Sequence, residues 1–201
     1  MMLALLAASA NAAQQLDDVV HAAAAYFNVS VSAAFTLSDG TTHAAAGGMA
    51  NRATGKAATT TSQYPGGSTT KTFTAVASLK LAEAGKLSLD DAIHHALDPW
   101  LKKQGHKSLL EMWGGDATIQ TVTARQLLQM RGGIRDYNDQ ALKVWTIANP
   151  SKDYLPIDFV TNVDKSFLFP PGEGGSYSGV AYVLMGWVLC AVCRSGAQTP
   201  D

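Results

Sequence analysis

The chain has 201 residues, 47% of them apolar and 15% charged, which is enough for one substantial core and too apolar for a disordered chain. Lysine and arginine number 15 against 16 acidic residues, a formal net charge of -1, which excludes the long-range field that nucleic acid, an anionic membrane or a polyacidic partner would require. A small-molecule or peptide substrate is the expected partner, and one domain or a domain and a half the expected organisation.

The chain opens on MMLALLAASANA, a short apolar run that ends in small residues, with Ala10 and Ala12 in an A-x-A-like arrangement. Residues 1–12 are read as a signal peptide lacking the usual basic start, against the plainer reading of an N-terminal helix with an apolar face. A cleaved signal implies secretion or a periplasmic location. From Gln14 to Phe27 the spacing predicts a helix with Leu16, Val19, Val20 and Ala23 on one face. Val29 to Leu37 alternates as a strand does, Ser38-Asp39-Gly40 reads as a tight turn, and Thr41 to Gly48 returns as the second strand of a hairpin.

Between Asn51 and Thr70 the composition predicts a loop, closed by the backbone breaker Pro65-Gly66-Gly67 directly before Ser68. Phe73, Val76, Ala77, Lys80, Leu81 and Ala84 then fall at helical spacing, with Gly85 as the stop. Ser88 with Asp91 predicts a capped second helix ending before Pro99, and Thr123 with Gln126 a third ending at Gly132-Gly133. Pro170-Pro171-Gly172 opens another loop, followed from Val180 to Cys193 by an apolar segment shorter than the roughly 20 residues of a spanning helix. It is read as a buried helix, and no transmembrane segment is expected.

Neither a cofactor nor a metal is expected. Cys190 and Cys193 sit one helical turn apart without further ligands near by, and His21, His43, His94, His95 and His106 show no metal-ligand spacing. Adjacent His94 and His95 on a helix are read as surface residues.

Ser68 and Lys71 carry the chemistry. A serine hydroxyl needs a base to take its proton, and a lysine one helical turn later supplies one if burial lowers its pKa. With 14 serines and 10 lysines in the chain, about 0.7 such pairs arise by chance, so context decides. Here the pair follows a breaker and opens an apolar helix, where backbone N–H groups favour developing negative charge.

The stretch STTKTFTAVASLKLAEAGKLSLDDAI, from Ser68 to Ile93, resembles the nucleophile helix of class C β-lactamases, family VIII esterases and penicillin-binding enzymes. TARQLLQMRGGIRDY, from Thr123 to Tyr137, is similar to the segment those families write as ITIRQLLTHTSGIPDY. FPPGEGGSYSGVAYVLMGWVL, from Phe169 to Leu189, resembles their F-x-P-G…Y-S-N-x-x-Y-x-L-L-G. The resemblance implies an α/β, β-lactamase/transpeptidase-like fold over residues 13–201, with the helical region present and the antiparallel sheet incomplete.

It also implies roles. Ser68 attacks a carbonyl to form an acyl-enzyme, Lys71 helps to take its proton, and Tyr177 acts with Lys71 in proton transfer to the leaving group. The implied substrates are a β-lactam, a D-alanyl peptide or a small ester. The plainer reading of Tyr177 is a loop tyrosine covering apolar surface. Two departures stand out: the family's Tyr-x-Asn is Tyr177-Ser178-Gly179, and the late Lys-Thr-Gly or His-x-Gly triplet is absent, so a C-terminally truncated chain with lost or reduced activity is the expectation. The alternative is a non-catalytic binding or scaffold relative of the same family; a third reading is an unrelated helical protein in which Ser68 is a cap and Lys71 a solvated residue.

Overall fold

The computed structural model describes residues 2–137, 147–149 and 151–195, with side chains described between residues 11 and 193. The apolar face of the expected leader therefore lies outside the described residues. The chain divides into two compact units, Met1–Pro65 and Gly66–Asp201.

In the first unit helix α1, Met2–Phe27, precedes an antiparallel hairpin of β1, Val31–Thr36, and β2, Thr42–Gly47. Among the described side chains of α1, Val20 and Ala24 are buried, while Val19, expected on the inner face, is 65% exposed. The covered face follows i and i+4, and Val19 lies one step round from it. Asn28 ends the helix in the left-handed conformation, φ 52°, and the next amide, of Val29, donates back to the Ala24 carbonyl. The predicted turn is present: the Gly40 amide donates to the Leu37 carbonyl, and Asp39 Oδ1 accepts from the Thr41 amide at 2.8 Å. A second, smaller pair, β3 (Met49–Asn51) with β4 (Lys56–Ala57), falls in part where the sequence reads as loop. The sheet portion among the described residues is thus two two-stranded ribbons, small and incomplete as expected.

The second unit is helical. A 3₁₀ turn, Gly67–Thr69, leads into α2, Thr70–Glu83. Of the residues at helical spacing from Phe73 to Ala84, Ala77 and Leu81 are half-buried, while Phe73, Val76, Lys80 and Ala84 are exposed. Ser78 is fully buried, whereas Phe73, Val76 and Leu79 are 73, 48 and 54% exposed. Periodicity fixes which residues share a face and leaves open which face is covered. The covered one carries Lys71, Thr74, Ala75 and Ser78, small or polar side chains that let a neighbouring helix approach closely.

Helix α3, Ile93–Lys103, starts five residues after Ser88 and runs through Pro99, correcting both predicted bounds. Asp91 spends its Oδ1 on the Ala92 amide and on His95 Nδ1 and closes no capping box with Ser88; the start is set instead by the Ile93 amide bonding the Val122 carbonyl. Pro99 lacks an N–H, a cost of about 3 kcal/mol. Leu97 and Leu101, both 0% exposed, flank it and contribute about 1.5–3 kcal/mol each by burial, so the helix continues. His95 is exposed as read, but His94 is half-buried with a buried ring nitrogen, against the surface reading.

Helix α4, Leu109–Met112, carries a Ser108–Glu111 capping box that the sequence reading missed. A second 3₁₀ turn spans Ala117–Thr121. Thr123 and Gln126 form the predicted capping box of α5, Ala124–Leu128, which stops four residues before Gly132 because Met130 takes a left-handed φ of 59°. Helix α6, Pro156–Thr161, and α7, Gly179–Ser195, follow among the described residues. Val180, Ala181, Leu184, Met185, Val188 and Ala191 of α7 are buried against Ile93, Leu97, Leu109, Ile119, Leu127 and Val160, so the apolar segment is the central core helix. No helix among the described residues is long and apolar enough to cross a membrane.

Candidate active site

Ser68 sits in the 3₁₀ turn at the entrance to α2, placed there because Gly66 and Gly67 let the chain bend and the Thr69 amide bonds back to the Gly66 carbonyl at 3.0 Å. Lys71 follows one turn later on the same face. Tyr177 arrives from 109 residues downstream, at the end of a loop stitched to the segment after α5. The Ser176 amide donates to the Met130 carbonyl at 2.9 Å, the Gly172 amide to that of Arg131 at 2.8 Å, and the Leu168 amide to that of Gly133 at 2.8 Å. Arg131 adds bonds from its guanidinium to the carbonyls of Gly172 and Gly174. Gly133 is required: its φ is 69°, and a Cβ there would lie 2.2 Å from the Phe169 carbonyl oxygen.

The start of α7 is held equally closely. Ser178, 2% exposed, accepts from the Ala181 amide at 3.0 Å and donates to the Arg135 carbonyl at 3.3 Å. Asp136 Oδ1 accepts from the amides of Gly179 at 2.8 Å and Tyr137 at 2.9 Å, placing a carboxylate at the N-terminus of a 17-residue helix.

These supports bring the three predicted residues together. Ser68 Oγ lies 2.6 Å from Tyr177 Oη, and Lys71 Nζ donates to Ser68 Oγ at 3.3 Å. Lys71 Nζ also stands 4.8 Å from the Tyr177 ring centroid and 5.6 Å from that of Tyr182. Hydrogen bonding to Lys71 and then to Ser68 lowers the Tyr177 phenol below its ordinary value, with burial and then Asp136 pushing the other way. Burial raises that of Tyr182, whose hydroxyl donates to the Leu128 carbonyl at 3.0 Å. The trio thus joins an exposed hydroxyl, a phenol made more acidic and the lysine that lowers it.

A cavity of about 270 Å³ opens beside Tyr177, lined by Arg135, Asp136, Asp164, Leu168 and Ser176. Larger hollows of about 410 and 750 Å³ lie along α3, and neither is lined by Ser68, Lys71 or Tyr177. Among the described residues no group of three or more His, Cys, Asp or Glu side chains could hold a metal, and Cys190 and Cys193 are exposed free thiols. Asp136, Ser178 and Tyr182 were not singled out from the sequence as site residues. All three fall inside the segments quoted for the resemblance, and Tyr182 matches the second Tyr of Y-S-N-x-x-Y, which was the available signal.

A family model described as Beta-lactamase matches residues 15–196. Penicillin-binding protein 4* of Bacillus subtilis (strain 168) is 28% identical over 130 residues, 65% of this chain and 25% of that protein. Among solved structures, a penicillin binding protein from Bacillus halodurans superposes with TM-score 0.61 at 26% identity, covering 81% of this chain and 44% of that one. A D-stereospecific amidohydrolase from Streptomyces sp. does so with TM-score 0.58 at 25% identity, covering 82% of this chain and 44% of that one. The chain therefore spans a quarter of the curated relative and under half of the two solved ones.

Proposed function

The chain belongs to the β-lactamase family, and from that premise we propose that it is a serine hydrolase working through an acyl-enzyme on Ser68. The observation that carries this reading is the 2.6 Å approach of Ser68 Oγ to Tyr177 Oη with Lys71 Nζ 3.3 Å from the same oxygen. Tyr177, held toward its phenolate by Lys71, takes the Ser68 proton as Oγ adds to the substrate carbonyl. The oxyanion forms at the entrance to α2, where the helix dipole favours it. Collapse returns the proton from Tyr177 to the leaving nitrogen or oxygen, and water completes the cycle by the same route.

The substrate class is an acyl donor of the β-lactam, D-alanyl peptide or small ester kind. The relatives support it, one being a penicillin-binding protein and another a D-stereospecific amidohydrolase. A site of action outside the cytoplasm accompanies the reading, supported by the apolar run and the A-x-A-like arrangement of Ala10 and Ala12. One observation favours a second reading, a non-catalytic binding relative: Gly179 leaves no side-chain amide at the third position of the Tyr-x-Asn triplet.

Intact-mass spectrometry after exposure to benzylpenicillin and, separately, to a serine-reactive phosphonate tests both. A single adduct on the parent chain and none on Ser68→Ala is the expected result. A folded parent chain that binds penicillin without gaining mass would overturn the first reading and leave the second.

A further inference from the structure

The cavity of about 270 Å³ beside Tyr177 carries a guanidinium on its wall, that of Arg135. The segment that the related families write as ITIRQLLTHTSGIPDY has proline where Arg135 stands, so this cation is a departure of the present chain. Its Nε donates to Ser166 Oγ at 2.8 Å and to the Ser166 carbonyl at 3.2 Å, and lies 3.4 Å from Asp164 Oδ2. Those contacts pin the base of the planar fork, while neither terminal nitrogen bonds a described residue. Four N–H groups thus remain for an acceptor, in the arrangement that suits a carboxylate.

Two carboxylates share the wall and would oppose an anion if they were free. Both are engaged. Asp164 Oδ1 accepts from the Ser166 amide at 2.8 Å and its second oxygen faces Arg135. Asp136 Oδ1 accepts from the amides of Tyr137 and Gly179, at the positive end of the 17-residue α7. The reacting atoms adjoin the same space, since Tyr177 lines the cavity and its Oη is 2.6 Å from Ser68 Oγ. Leu168, 43% exposed, adds an apolar surface on which methylene groups can rest.

We propose that Arg135 is a specificity-determining residue of the Ser68 site, selecting acyl donors whose acyl chain carries a carboxylate at its far end. This rests on the acyl-enzyme reading above. The carboxylate accepts N–H bonds from the terminal nitrogens of Arg135 while the carbonyl of the donor lies at Ser68. Acylation forms the bond from Ser68 Oγ to the carbonyl carbon, breaks that to the leaving group, and passes the serine proton through Tyr177.

The test uses mono-4-nitrophenyl adipate, 4-nitrophenyl hexanoate and 4-nitrophenyl 6-aminohexanoate, which put an anionic, a neutral and a cationic end on similar chains. Acylation of the full chain is timed by intact mass, each rate being divided by that of hydrolysis in buffer. The parent is expected to react with the adipate about tenfold to a hundredfold faster than with the hexanoate, the worth of hydrogen bonds to a charged group. In Arg135→Met that ratio should fall to within about twofold of one, with Tm within about 4 °C of the parent because the lost ion pair is partly exposed. Binding without chemistry is read separately: Ser68→Ala, with and without Arg135→Met, is titrated by NMR with monomethyl adipate and with methyl hexanoate. The adipate should bind about tenfold more tightly than the hexanoate only where Arg135 is present.

Equal acylation of the parent by adipate and hexanoate would overturn the proposal, and so would a ratio that survives Arg135→Met. Faster reaction with the aminohexanoate than with the adipate would overturn it too, assigning the wall to Asp136 and Asp164. A parent that takes no label from any ester, beside a Ser68→Ala chain that prefers the adipate through Arg135, would overturn the acyl-enzyme reading and leave the anion site standing. No label and no preference would overturn both.

Discussion

At the scale of single residues, the site depends on how Lys71 biases Tyr177. The phenol is held below its ordinary value mainly by Lys71 and then by Ser68, against opposing pushes from burial and from Asp136. In the proposed mechanism the phenolate accepts the serine proton, so acylation should rise with pH and level off above that lowered value. Removing the cation with Lys71→Met takes away the lowering, and the rise should move to higher pH, toward the ordinary tyrosine range near 10. Timing acylation by a phosphonate between about pH 6 and 10 checks this; an unmoved inflection assigns the titration to another group. Tyr177→Phe, which has no proton to move, should acylate about 10²–10⁴-fold more slowly at any pH in that range. Ser68 and Lys71 were legible in the sequence because their relation is local, three residues apart at a helix entrance. Tyr177 was legible only through the segment it belongs to. The part played by Asp136 arises where a loop meets a helix start more than 40 positions further on, and no spacing rule reports that meeting.

At the scale of elements, local devices were readable and coverage was not. The Thr123–Gln126 box is realised because it needs only its own four residues, whereas the Ser88–Asp91 pair is not, since Asp91 bonds Ala92 and His95 instead. Helix α2 shows the limit most directly. Its apolar residues fall at helical spacing, which leaves open which face is covered; Phe73 is exposed and Ser78 is buried, with Ser78 Oγ donating to the Thr74 carbonyl at 2.7 Å. Phe73→Ser should therefore change unfolding free energy by no more than about 0.5 kcal/mol, as ordinary surface changes do. Ser78→Leu, conservative by helix propensity, should cost about 1–3 kcal/mol because the inner face of α2 has no room for it. Urea titrations of both variants check this: a larger loss for Phe73→Ser than for Ser78→Leu would put Phe73 on the covered face of the helix.

At the scale of the whole chain, the two units are unequally supplied with apolar burial. Among the described side chains of Met1–Pro65 the buried apolar ones are Val20, Ala24 and Ala45, two of them alanines, beneath a two-stranded hairpin. Two strands gain little stability without further packing, and a few buried methyl groups add little more. In Gly66–Asp201 the helix α7 alone buries Val180, Leu184, Met185 and Val188 at 0 or 1% exposure, against Leu97, Leu101, Leu109 and Leu127 from three other helices. Opening the hairpin breaks few contacts, whereas exposing α7 requires the helical unit to come apart, so the free energies of the two events should differ by several kcal/mol. Hydrogen exchange followed by mass spectrometry reads that difference directly. Amides of β1 and β2 should exchange at least about a hundredfold faster than those between Val183 and Val188, a ratio that corresponds to about 2.7 kcal/mol. Leu184→Ala should then raise exchange throughout α7 and α3, since a cavity at a fully buried leucine costs about 2–5 kcal/mol, while leaving the hairpin amides unchanged. Uniform acceleration across both units would show that they unfold as one cooperative body, and the hairpin would then owe its stability to the same core that positions Ser68.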